Sequence, residues 1–302
     1  MLVSGISAPY LVLLAIHHTF VCVVCFAIKY FFSLLRSGHI QSKFKRRIME
    51  KWSGKVAVVT GASAGIGEAI IQDFAKAGIH VVGLARRSEK VEEIAEKLGD
   101  TPGKIYAHKC DVSDLESVKE AFKWIEQRFG SINILINNAA ILFNGTILDE
   151  REDAVEKLNS VMNTNFTGAL HCTREGVRLM KKTDDHGLVV NVNSIAGNYV
   201  PFGFGVNVYA ASKHALRAFS EVLRQELVID QNKKIRVTNL SPGVVKTDMA
   251  VAAGMHTDKE LIYKFLPHLT PENVSETVMF LLQVPYNVNI SQMTVQPVGE
   301  KV

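Results

Sequence analysis

Residues 55–87 read KVAVVTGASAGIGEAIIQDFAKAGIHVVGLARR, and no other stretch of the chain restricts its fold as strongly. Residues 56–59 are a short apolar run suited to a strand buried on both faces, as in parallel sheets covered by helices on each side. Residues 68–76 then change to helical periodicity, with Ile70, Ile71 and Phe74 on the inner side, and residues 80–84 return to a buried strand. Strand, glycine turn, helix and second strand in about 30 residues make a βαβ unit. The turn is Thr60, Gly61, Ala62, Ser63, Ala64, Gly65, Ile66, Gly67. Glycines there let the backbone turn sharply and approach a pyrophosphate, while the N–H groups opening the helix face its charge. A glycine string alone is weak evidence. In this setting it predicts that Gly61, Ser63, Gly65, Ile66 and Gly67 cradle a dinucleotide.

The end of the second strand should lie beside the adenosine ribose, where a carboxylate would accept from the 2′-hydroxyl and select NAD. Arg86 and Arg87 stand there instead. An arginine fork matches a 2′-phosphate, so the cofactor is expected to be NADP(H); the bland reading is that one or both arginines only solvate a loop. Residues 105–110 are a further strand, after which Asp111 can accept from the adenine amino group and Val112 can pack its ring. Asp114 suits the cap of a helix running to Phe129. Residues 132–136 form another buried strand ending in Asn137-Asn138-Ala139-Ala140, where Asn137 is expected to tie strand ends together and Asn138 to border the cofactor.

Residues 161–180 read as one long helix interrupted near its start by Asn163 and Asn165; a buried amide needs partners, and Asn165 could hold a water against Lys213. The strand at residues 187–193 delivers Ser194 to its C-terminal end, where an open α/β sheet places its ligand crevice. Tyr209 and Lys213 follow at helical i, i+4 spacing, which stacks them on one face. A phenol ordinarily titrates near ~10. A neighbouring ammonium would lower that value, and a Ser194 hydroxyl aimed at the same substrate oxygen would complete a proton donor and acceptor. Tyr-x-x-x-Lys alone is common on solvated helices; the upstream dinucleotide signal makes it informative. After the strand at 235–240, the turn Pro242-Gly243-Val244-Val245-Lys246-Thr247 can present Val245 and Thr247 to a nicotinamide carboxamide. Residues 248–271, carrying Met249, Met255, Tyr263, Phe265 and Leu266, suit an apolar lid or a subunit contact.

Composition bounds the alternatives. The chain has 302 residues, 47% hydrophobic, enough for one α/β domain of about 250 residues and an appendage. The organisation expected is a membrane-anchor helix at 1–35, a basic linker at 36–51 and a nucleotide-binding domain at 52–302. No charged residue occurs before Lys29, and a single apolar span of this length crosses a bilayer. Lys43, Lys45, Arg46, Arg47 and Lys51 follow it, which would place the domain on the cytoplasmic side. The competing reading starts the working polypeptide at Met49, giving a cytoplasmic protein without the anchor. Net charge is +4, with much of the excess in that linker, so no basic face for nucleic acid is expected. Four scattered cysteines are too few for a disulfide framework. Cys22 and Cys25 read as packing or lipid-facing residues. His256 and His268 lack ligand spacing, so no metal is expected.

Taken together, TGASAGIG, CDVSD, NNAA, the Asn165 helix, Ser194, YAASK and SPGVVKT resemble the short-chain dehydrogenase/reductase family over residues 52–298. The resemblance implies a Rossmann-like, doubly wound, seven-stranded parallel α/β sheet and assembly as a homodimer or homotetramer. It implies a catalytic set of Asn165, Ser194, Tyr209 and Lys213, with Tyr209 and Lys213 also touching the cofactor, and a cofactor loop from Pro242 through Gly243 and Val245 to Thr247. ARR after the second strand, the interval from Ser194 to Tyr209 and the ISQMTVQP tail resemble the branch holding insect farnesol dehydrogenases and dehydrogenase/reductase member 11 carbonyl reductases. That branch implies an apolar alcohol or carbonyl as substrate, whether terpenoid or ketosteroid. A non-catalytic NADP(H)-binding membrane protein is the alternative from another class.

Overall fold

The computed structural model describes residues 50–201, 206–255, 263, 264 and 266–301. The expected anchor helix, Cys22, Cys25, Met49, His256 and Phe265 lie outside the described residues. Among the described residues no helix is long and apolar enough to cross a membrane.

The sheet belongs to one compact unit, Trp52–Val302. In chain order the elements are β1 Val56–Thr60, α1 Gly65–Lys76, β2 His80–Ala85, α2 Ser88–Leu98, β3 Ile105–Lys109, α3 Leu115–Phe129 and β4 Ile134–Asn137. There follow α4 Ala154–Met162, a π-helical turn Asn163–Thr167, α5 Gly168–Met180, β5 Gly187–Val192, a 3₁₀ turn Ile195–Gly197 and α6 Asn207–Ile229. The unit closes with β6 Ile235–Pro242, the short α7 Met249–Ala252, α8 Pro271–Gln283 and β7 Gln292–Val295.

The seven strands lie in the order β3-β2-β1-β4-β5-β6-β7, each pair parallel. From β1 the chain winds outward to β3, then returns to place β4 on β1's other side. That reversal opens a crevice between the C-terminal ends of β1 and β4, which is where doubly wound sheets take their ligands. Central strands such as β5 and β6 are buried at every position, because helices cover both faces. One main core joins Val58, Val82, Phe122, Leu135, Val189 and Val237 with the inner faces of α3 and α5. Burying such side chains contributes roughly 1.5–3 kcal/mol each before entropy is charged against it.

Two local features depart from the pattern of the sequence. The expected helix at 161–180 is instead two helices joined by the π turn, and it begins seven residues earlier, at Ala154. Ala154 and Val161 of α4 are buried and Leu158 packs with them at i, i+4 and i+7, an apolar stripe that would have extended the helix back to Ala154. The π turn puts Asn165 inside, 1% exposed. Second, Gly168 opens α5 because a Cβ there would come within 2.7 Å of Val112 Cγ2.

Candidate active site

The chain turns sharply where β1 ends. Gly61 (φ +65°) and Gly65 (φ +59°) take left-handed backbone that side chains disfavour. Gly67 is required for a different reason: a Cβ there would sit 2.3 Å from the Gly61 carbonyl oxygen. Ala64 precedes α1 and offers no side-chain cap, whereas Asp114 caps α3 by accepting from the Glu116 N–H at 3.0 Å. The opening N–H groups of α1 are thus left for an anion. Ser63 and Ile66 are half-buried on the same turn. Asn138 fixes the turn to the neighbouring strand: its Nδ2 donates to the carbonyls of Thr60 (2.9 Å) and Gly61 (3.2 Å). The Thr60 hydroxyl accepts from the N–H groups of Asn138 and Ala139, both at 3.0 Å. A bare, positively polarised concavity of this kind fits a dinucleotide pyrophosphate.

Arg86 and Arg87 are exposed just past the end of β2. No carboxylate among the described residues forms an ion pair with either. Asp111 follows β3, and its Oδ1 accepts from the Ser113 N–H (3.0 Å) and hydroxyl (2.6 Å). Val112 is 7% exposed, its side chain packed in the main core. Asn137 does tie strands: its Nδ2 donates to Asn191 Oδ1 and Thr173 Oγ1, each at 2.8 Å.

Across the crevice, β5 ends at Val192 and the 3₁₀ turn begins. Ser194 Oγ accepts from the Ala196 N–H at 3.1 Å and lies near enough to the Tyr209 phenol to favour its ionised form. Lys213 is 2% exposed, donates from Nζ to the Val192 carbonyl at 3.0 Å and holds that nitrogen 5.6 Å from the Tyr209 ring centroid. Ser194, Tyr209 and Lys213 therefore meet as the spacing predicts. Their electrostatics differ from expectation. Burial pushes the Tyr209 phenol up, and the Ser194 hydroxyl only partly offsets it. Burial also pulls the Lys213 ammonium down from 10.5 to about 7. In the protein alone desolvation dominates both groups, because no described carboxylate compensates the amine and a half-charged amine acidifies a phenol weakly.

Asn165, expected to hold a water against Lys213, has protein partners for its side chain: Oδ1 accepts from the Ile141 N–H (2.8 Å), while Nδ2 donates to the Ile141 carbonyl (3.0 Å) and Ser212 Oγ (3.2 Å). Its amide pins the chain after β4 to the residue beside Lys213. The loop after β6 is equally tied down. Pro242 is buried, and Gly243 packs against Glu300, whose Oε1 accepts from the Val244 N–H at 2.9 Å. Thr247 lies over the glycine turn, its methyl 3.1 Å from where a Gly65 Cβ would be. Tyr263, in the segment that suits an apolar lid or a subunit contact, is 7% exposed. Its hydroxyl lies 3.1 Å from the carbonyls of both Val245 and Thr247 and accepts from the Thr247 N–H at 3.3 Å.

Tyr263 and Glu300 thus hold the loop after β6, and neither carries a signal that sequence reading could have used. Asn207 was also passed over, although an asparagine just ahead of a helical run is a recognisable helix-start signal. Among the described residues no group of three His, Cys, Asp or Glu side chains could hold a metal ion.

The family model for short chain dehydrogenase matches residues 55–257. Among curated relatives, a farnesol dehydrogenase of Aedes aegypti is 42% identical over 255 residues, covering 84% of this chain and 100% of the relative. Dehydrogenase/reductase SDR family member 11 of Homo sapiens is 35% identical over 257 residues, covering 82% of this chain and 96% of its own. Among solved structures, the closed form of a serine dehydrogenase complexed with NADP+ superposes with a TM-score of 0.73 at 31% identity, over 82% of this chain and 96% of that one. The doubly wound parallel sheet agrees with these matches, and the chain belongs to the short-chain dehydrogenase/reductase family of oxidoreductases.

Proposed function

We propose that the protein is an NADP(H)-dependent oxidoreductase that interconverts an apolar alcohol and its carbonyl, with a farnesol-like terpenoid alcohol as the substrate class. The observation that carries this reading is the Tyr209 phenol held between Ser194 and Lys213 at the mouth of the crevice. The choice of NADP(H) rests on Arg86 and Arg87 at the end of β2, and it is supported by the NADP+ in the related serine dehydrogenase structure. The substrate class is supported by the 42% identical relative named farnesol dehydrogenase. It is also supported by the packing of Tyr209 against the apolar cluster of Phe143, Ala154 and Val161.

Gly61, Ser63, Gly65, Ile66 and Gly67 would hold the pyrophosphate, with Thr247 closing over the turn. Asp111 and Val112 would border the adenine, Asn138 would keep the cradle in shape, and Pro242, Gly243, Val245 and Thr247 would face the nicotinamide end. The nicotinamide supplies the hydride acceptor or donor. Tyr209 then handles the proton: it takes the alcohol hydrogen during oxidation and returns one to the carbonyl oxygen during reduction. Ser194 holds that oxygen. Lys213, fixed by the Val192 carbonyl, stabilises whatever negative charge Tyr209 develops, while Asn165 keeps α6 against the chain following β4. A phenol pushed up by burial stays protonated at neutral pH, so reduction finds the proton in place, whereas oxidation should speed up as pH rises. Assembly as a homodimer or homotetramer belongs to the same reading.

The test combines a panel of terpenoid, steroid and short-chain alcohols with NADP or NAD and the Tyr209→Phe variant. Turnover of apolar alcohols with NADP, lowered roughly 10³-fold or more in the variant while the dinucleotide still binds, is the expected result. Unchanged turnover in Tyr209→Phe, or equal use of NAD, sinks the assignment.

A further inference from the structure

We propose that Asn207 is a positioning residue that sets where the Tyr209 ring stands, an inference that rests on Tyr209 being the proton-transfer group. Asn207 is the first residue of α6, two residues before Tyr209, and its φ of +33° is left-handed backbone that few residues other than glycine adopt. Its side chain reaches in two directions. Both hydrogens of Nδ2 are donated, one to the Phe143 carbonyl and one to the Gly145 carbonyl, each at 2.8 Å. Its Oδ1 accepts from the N–H of Tyr209 at 3.3 Å. Two donors and one acceptor in a flat group short enough to tolerate positive φ describe asparagine and no other side chain. Aspartate keeps the acceptor but turns an oxygen toward two carbonyls. Glycine keeps the backbone and loses all three bonds.

The segment that Asn207 grips forms the wall beside Tyr209. Phe143 is 8% exposed and packs with Ala154 and Val161, and Ile141, Leu158 and Tyr209 pack against that cluster. Gly145 has no room for a side chain, since a Cβ would come within 2.6 Å of the Phe143 ring. Arg151 braces the same segment, donating to the Asn144 carbonyl at 3.0 Å with its guanidinium 5.1 Å from the Phe143 ring centroid. Asn144 Nδ2 reaches the Gly254 carbonyl at 3.1 Å, so the segment also spans to the residues after α7. Asn207 therefore joins the backbone of Tyr209 to Phe143, a member of the apolar cluster against which Tyr209 packs. Proton transfer depends on donor placement to within fractions of an ångström, and an error near 1 Å can cost about 100-fold.

The experiment compares full-length Asn207→Gly and Asn207→Asp with the unmodified enzyme and with Tyr209→Phe. It measures kcat, dinucleotide Kd and amide hydrogen exchange over residues 141–151. The expected result is a kcat lowered roughly 10- to 100-fold in both Asn207 variants, a Kd within about two-fold, and faster exchange in that segment. Normal kcat in Asn207→Gly overturns the inference, as does a kcat loss with unchanged exchange or with a matching loss of dinucleotide affinity. Should Asn207→Gly not fold, Asn207→Asp and Asn207→Ser carry the same comparison. Full activity in Tyr209→Phe would remove the functional reading and this inference together, whereas an inactive Tyr209→Phe beside a normal Asn207→Gly removes the inference alone.

Discussion

The two sides of the crevice are built on opposite principles. The β1 side is shaped by what is missing: glycines at 61, 65 and 67 bring bare backbone to the surface, and α1 begins without a side-chain cap. The β5 side is shaped by buried functional groups, namely Lys213, Asn165 and Asn193, all 5% exposed or less. On the proposed reading, the first side meets a charge that arrives with the ligand and pays nothing for it beforehand. The second carries a standing cost, since an amine with no counter-ion among the described residues sits in a dry interior. The proposed binding and proton handling are thereby separated, and each can be damaged alone.

The largest effect should come from filling the first side. Gly67→Val places side-chain atoms where the Gly61 carbonyl already lies 2.3 Å from a Cβ. Dinucleotide affinity should fall by roughly 100-fold or more, measurable by titration of bound cofactor fluorescence. A variant that still binds with native affinity would break the comparison. Replacing both Arg86 and Arg87 by alanine should act on the same side but selectively. NADPH binding should weaken by roughly 10- to 100-fold as charge-assisted bonds are lost, with NADH binding nearly unchanged; equal losses for both would mean that the arginines do not read the 2′-phosphate.

The second side predicts a gain in stability from a loss of function. Lys213 titrates at about 7 in the folded protein against 10.5 without burial, so between those values the unfolded chain binds more protons and stability rises with pH. Below pH 7 the full cost is present, roughly 5 kcal/mol at most, and the hydrogen bond to the Val192 carbonyl returns about 1–3 kcal/mol of it. Lys213→Met should therefore be inactive yet more stable by about 1–3 kcal/mol at pH 6 to 7. That advantage should shrink as pH rises toward 10 in denaturant titrations. An advantage that does not change with pH would show that the amine carries no desolvation cost.

The contrast also explains what could be read from the chain in advance. The βαβ unit, the glycine turn and the Tyr209–Lys213 pair are local, and local spacing is what periodicity and steric rules address. Six strands read on that basis agree with the structure to within about two residues. The side chains that hold the site depend on partners far along the chain. Tyr263 meets Val245, Glu300 meets Val244 and Asn165 meets Ile141, and nothing in a short window announces such pairs. The same limit governs the acidity of Tyr209. Spacing places an ammonium near the phenol, but the sign of the resulting shift depends on how thoroughly the fold dries both groups. The early start of α4, by contrast, was legible, because Ala154, Leu158 and Val161 recur at helical spacing.

The indole of Trp52 donates to the Leu282 carbonyl at 2.8 Å and meets Tyr286 edge-on at 5.6 Å, 1% exposed. The other tryptophan of the chain, Trp124, stacks on His108 at the far edge of the sheet. Nature has thus installed two optical reporters at opposite margins of one domain. Emission from the first should redden when α8 lifts from the start of the fold, and emission from the second when β3 peels away. Variants keeping one indole at a time would reveal which margin melts first on heating.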